Sequence, residues 1–149
     1  MKKLLLNESE KAIIEQKIAQ IEAKTSGEIR VAITKSSPRW LYGPSSVKTK
    51  ARQLFKKYNM HKTIDRTGIM ILFSCEEKQF YIHADIHIFE KIGQAKLDSF
   101  SKDLSQTMRE EKYCTGIWTI LDKLSEPLIQ YFPIKEGDVN ELSNQVIEV

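Results

Sequence analysis

Two cysteines in 149 residues are too few to staple a fold, and Cys75 and Cys114 stand in no CxxC or metal-ligand spacing. Both are expected to be free thiols of a reducing compartment. No stretch nears the ~20 apolar residues of a membrane span. Leu4-Leu5-Leu6 imitates the apolar centre of a secretory signal, but Asn7-Glu8 ends it after three residues. The nucleophile elbow GxSxG, the Walker A loop, HExxH and a GxGxxG after a strand are all missing. The net charge of +3 comes from lysines distributed along the chain, with a modest cluster at Lys48–Lys62, which is not the footprint of a nucleic-acid binder. These absences leave a soluble cytoplasmic protein, and 41% hydrophobic residues suffice for one domain with a real core.

What is present begins with a helix. Asn7 followed by Glu10 has capping-box spacing, and Ile14, Ile18 and Ile21 form one stripe over about Glu8–Lys24, with Thr25-Ser26-Gly27 as its end. Glu28–Lys35 alternates Ile29, Val31 and Ile33 with more polar residues, as a strand does. The loop Ser36–Ser46 carries Trp40 and Tyr42, which either form a binding lip or fold down on the sheet. A helix then runs to about Tyr58, with Val47, Ala51, Leu54 and Phe55 inward and Lys48, Lys50, Arg52, Lys56 and Lys57 outward. Gly68–Ser74 and Gln79–Ala84 make an antiparallel hairpin across the turn Cys75–Lys78. Strand, helix and next strand form a right-handed βαβ unit with the first two strands parallel.

After Asp85 the reading is helix at Ile88–Ile92, a break at Gly93, a helix over about Ala95–Lys112, and a last one over Cys114–Tyr131 containing Pro127. Residues 1–134 are taken as the domain and 135–149 as a loosely held acidic tail or a segment on the surface.

Topology concentrates the candidate chemistry at one edge. If Ser74 faces Gln79, Met70 faces His83 and Gly68 faces Asp85, which brings Asp65 and Asp85 together, and the parallel first strand adds Glu28. Three carboxylates in one place suit a hard cation, since Ca²⁺ and Mg²⁺ take oxygen ligands. Arg66 offers the alternative compensation, an ion pair with no metal. His83 and His87 could form a transition-metal pair, but a third ligand is missing.

At these same residues the sequence resembles the TPM domain family. Thr25-Ser26-Gly27-Glu28-Ile29-Arg30-Val31 is like the family's T-x-G-E-I-x-V. Met60–Ile69 is like its MHKTxDRNGV, and Ala84–Gly93 is like G-D-x-G-I-x-E-K-x-G. Tyr113-Cys114-Thr115-Gly116-Ile117 and Asp138-Val139-Asn140-Glu141-Leu142 match two further motifs.

The resemblance implies a stand-alone three-layer α/β/α sandwich, Rossmann-like, with a small mixed sheet between helices. It also implies a divalent-cation site, calcium or magnesium, at Glu28, Asp65 and Asp85. Some family members are described as acid phosphatases. The expectation is therefore a cation-binding module with a protein partner, or alternatively a metal-assisted phosphomonoester hydrolase. Ala84, His87 and Thr67 depart from the family pattern, and the lost glycines restrict a loop that would wrap a ligand.

Overall fold

Asn7 opens the first helix as its spacing predicts: its side chain accepts from the Glu10 amide at 2.8 Å, and Glu10 reaches back to the Asn7 amide at 3.0 Å. The computed structural model describes residues 5–138 and 142–149. Helix α1 (Glu8–Glu22) buries Ile14, Ile18 and Ile21 and leaves its charged face in solvent. Gly27 does not adopt the left-handed conformation expected of a residue ending a helix. It is buried where an added Cβ would touch Leu128 at 3.4 Å, so its small size is what the packing uses.

The strands are β1 (Glu28–Thr34), β2 (Gly68–Ser74), β3 (Gln79–Ala84) and β4 (Ile147–Glu148), in the spatial order β3-β2-β1-β4. β1 runs parallel to β2 and β4, while β2 and β3 form the predicted hairpin, with Ser74 opposite Gln79 and Met70 opposite His83. Every residue of β2 is buried, as suits a central strand covered on both faces. Ile29, Val31, Ile33, Ile69, Ile71 and Phe73 face one helical layer, and Ala32, Met70 and Leu72 face the other. The result is the expected α/β/α sandwich around a mixed sheet.

One layer contains α1 and the long α7 (Tyr113–Tyr131), whose Ile117, Ile120, Leu121, Leu124 and Leu128 are buried. The other is α3 (Ser46–Lys57), preceded by a single helical turn, α2 (Arg39–Tyr42), inside the predicted loop. Trp40 is 84% exposed, so it does not fold onto the sheet.

Two expectations change. The helix read over Ala95–Lys112 is two short ones, α5 (Gln94–Ser99) and α6 (Ser105–Arg109), after α4 (Ile86–Ile92). Ser99 and Ser101 donate their hydroxyls to the Lys96 and Asp98 carbonyls, a local bonding that competes with continuous helix, while Phe100 and Leu104 still reach the core. The segment read as a loosely held tail or a segment on the surface ends in β4: Ile147 pairs with Ala32 and is buried, so its end is not loose. Of the motif at 138–142, residues 139–141 lie outside the described part.

Candidate functional site

The open end of the β2–β3 hairpin has the geometry that its register requires. The Glu28 amide donates to the Thr67 carbonyl at 3.0 Å, and the Asp85 amide donates to the Gly68 carbonyl at 2.8 Å, so Glu28, Gly68 and Asp85 sit in line across three strands. Gly68 is obligatory here, because an added Cβ would lie 2.4 Å from the Met60 carbonyl oxygen. The motif threonines serve as fasteners. Thr67 donates to the Ser26 carbonyl at 3.1 Å, and Thr25 donates to the Phe132 carbonyl at 2.5 Å, tying the end of α7 to the start of β1.

Each of the three predicted carboxylates has its own partners. Asp85, 5% exposed, caps α4 by accepting from the Ile86 amide and receives a bidentate contact from Arg66, both nitrogens at 2.8 Å. Burial pushes its carboxyl up, but the hydrogen bonds from Arg66 and Ile86 and the Arg66 charge outweigh that and hold it below the usual range. Arg66 itself has φ 54°, a left-handed backbone that turns its side chain back over the edge.

Asp65 lies at the rim, with the Lys135 ammonium 3.6 Å from its carboxylate and the His87 ring bonded to its carbonyl at 2.6 Å.

Glu28, also 5% exposed, is hydrogen-bonded to a residue that the sequence reading missed, Glu22 at the end of α1. Glu22 accepts from the Ile29 amide at 2.8 Å, at the outer edge of β1 where β4 does not reach. Burial, and then the charge of Glu28, push the Glu22 carboxyl up to about 8. It is therefore protonated at neutral pH and shares that proton with Glu28. Helix periodicity marks Glu22 as a solvated residue of a charged face. Only the hand-over from α1 to β1 turns it inward.

Does this set fit a divalent cation? Among the described residues no three acidic, histidine or cysteine side chains are gathered around one point. Both oxygens of Asp85 are taken by donors, and Glu28 shares a proton with Glu22. The carboxylates converge on one edge as predicted without forming a preassembled cage. The histidine pair is not assembled either: His83 packs edge-on against Phe55 at 4.7 Å, while His87 sits on the Asp65 carbonyl.

Beside the edge lies an open cleft of about 470 Å³, lined by Ile64, Asp65, His87, Glu90, Tyr131 and Ile134 among others. Ile64 is 83% exposed at its lip. Both cysteines are free, Cys75 buried and Cys114 half-buried. No helix among the described residues is long and apolar enough to cross a membrane.

Comparison with known proteins agrees with the fold. The NMR structure of the BA42 protein from the psychrophilic bacterium Bizionia argentinensis superposes with a TM-score of 0.85 at 26% identity, covering 100% of this chain and 99% of that one. The N-terminal domain of a protein from P. gingivalis gives 0.64 at 14% identity, over 88% of this chain and 83% of its own. That of a Corynebacterium glutamicum protein gives 0.59 at 11%, over 97% and 81%. These two likenesses concern the fold alone. No curated protein matches the chain. The sequence profile of the TPM domain matches residues 2–126, and the chain accordingly belongs to the TPM domain family.

Proposed function

We propose that this TPM domain is a binding module rather than a hydrolase, and that the edge carrying Glu28, Asp65 and Asp85 takes a divalent cation only when Arg66 releases Asp85. The observation that carries this reading is the bidentate Arg66–Asp85 pair, whose two 2.8 Å contacts occupy the carboxylate that either a cation or a reacting water would need. A hydrolase requires a free base or nucleophile beside the phosphate. Here the best-placed acid is committed to an arginine and a helix cap. Calcium is favoured over magnesium, because it tolerates irregular oxygen sets where magnesium demands a near-ideal octahedron. The adjoining cleft, with Ile64 and Ile134 at its lip, is the place for a protein partner.

The test is a backbone-amide NMR titration with Ca²⁺ and then Mg²⁺, on the natural chain and on Arg66→Gln. The expected result is a response around Asp65 and Asp85 that strengthens at least tenfold in Arg66→Gln and disappears in Asp85→Asn. Phosphomonoester turnover by the natural chain that Asp85→Asn abolishes would overturn the binding-module reading. A cation response that is unchanged in Arg66→Gln would overturn the arginine's role.

A further inference from the structure

Lysines occur along the whole chain, but its acids are segregated. From Ile29 to Ile64 the sequence contains nine lysines and arginines and no aspartate or glutamate, which leaves the rest of the chain with more acids than bases. The fold places much of this stretch in one layer, α2 and α3, on the face of the sheet away from α1 and α7. Lys48, Arg52 and Lys56 recur every four residues along α3 and are exposed, so they form a single outward stripe. None of the three makes an ion pair among the described residues. A stripe of like charges destabilises its own helix, and no acid on that helix offsets it.

A second observation lies at the start of the same layer. Trp40 and Leu41, adjacent in α2, are 84% and 58% exposed. The turn that presents them is bracketed by Pro38 and by Gly43-Pro44 and sits against α3, with the Lys50 ammonium 5.4 Å from the Tyr42 ring centre. Tryptophan favours the boundary between water and lipid, where its ring is buried and its N–H stays wet. A leucine beside it adds aliphatic surface, which serves a bilayer and does nothing for stacking on bases. Single-stranded nucleic acid would need several aromatic platforms along a basic groove, and here one exposed tryptophan stands on the turn that packs against α3.

We propose that the α2–α3 layer docks on an anionic lipid bilayer, with Trp40 and Leu41 inserted at the headgroup boundary and Lys48, Arg52 and Lys56 held against the lipid phosphates. Attachment is peripheral, and it leaves the Asp65–Asp85 edge at the end of the sheet as a separate site. Each cation contributes ~1 kcal/mol near such a surface, so removing one weakens binding about fivefold.

The experiment uses the full chain carrying Trp118→Phe, which leaves Trp40 as the sole tryptophan. It is mixed with vesicles of phosphatidylcholine alone or phosphatidylcholine with phosphatidylglycerol, and both sedimentation and Trp40 emission are followed. Expected are binding to the anionic vesicles only, weakened by salt, with blue-shifted Trp40 emission that brominated acyl chains quench. Arg52→Gln should bind about fivefold more weakly, and Trp40→Ala with Leu41→Ala at least tenfold more weakly, each with an unchanged amide NMR spectrum outside its neighbourhood. Three outcomes overturn the proposal: no binding to anionic vesicles at low salt, binding with Trp40 emission unmoved, or tighter binding to a single-stranded oligonucleotide than to the vesicles at the same salt.

Discussion

Glu22 keeps its proton past neutrality because its carboxyl is buried beside another, and this gives the fold a pH dependence of definite sign. In the unfolded chain it ionises near 4.5, and in the folded protein near 8. Between these values only the unfolded state loses the proton. Stability is therefore full below the lower value and is lost as pH rises from there through the upper one, by on the order of 5 kcal/mol for a gap of this size. Urea denaturation at pH 5 and pH 8.5 should show this loss in the natural chain. Glu22→Gln, which can still accept from the Ile29 amide and donate to Glu28, should largely remove it. Gly68 is the other residue with a sharp prediction. Gly68→Ala forces a Cβ against the Met60 carbonyl, for which the backbone must shift, and should lower stability by about 1–3 kcal/mol in the same measurement. Of these two, Gly68 stands inside the Met60–Ile69 motif and was legible as the first residue of β2. Glu22 was not, because its inward role depends on where β1 begins and β4 stops.

At the scale of elements, the hairpin, the βαβ unit and both long helices follow from local pattern. Period two sets β1, a nearly all-apolar run sets β2, and Ile117, Leu121, Leu124 and Leu128, recurring every three or four residues, set α7. What local pattern did not supply was the fate of weak segments. α5 and α6 share one inner stripe in sequence, yet serine hydroxyls break them apart. The final strand has two residues, too few for periodicity to register, and it exists because β1 offers an open edge to pair with. Ile147 is 6% exposed there, so Ile147→Ala should lower stability by about 2–3 kcal/mol by thermal or chemical denaturation. Amide exchange at Val149, which donates to the Ile33 carbonyl at 3.1 Å, should accelerate with it. A freely mobile tail would show neither effect. The turn after β2 is pinned in a similar way. Glu77 accepts from the Ser37 amide at 2.9 Å and from the Ser74 hydroxyl, so Glu77→Ala should loosen the segment leading into α2 and cost about 1–3 kcal/mol.

On the scale of the whole molecule, charge and function meet in α3. Arg52→Glu would replace a repulsive i,i+4 neighbour of Lys48 and Lys56 by an attractive one, and should raise stability by about 0.5 kcal/mol while weakening vesicle binding. A gain in stability with a loss of binding is what a surface held for a ligand should show, and thermal melts beside vesicle sedimentation measure both. The sequence by itself determined the register of the hairpin and the convergence of Glu28, Asp65 and Asp85 on one edge, because alternation and strand direction fix where strand ends fall; the sandwich was what the resemblance to the TPM family implied. Only the tertiary structure decided what those carboxylates do there. Strand ends that share an edge are still free to turn their side chains to different partners. Here Arg66 takes Asp85, Lys135 approaches Asp65, and the end of α1 brings Glu22 to Glu28 from a part of the chain where no local pattern pointed.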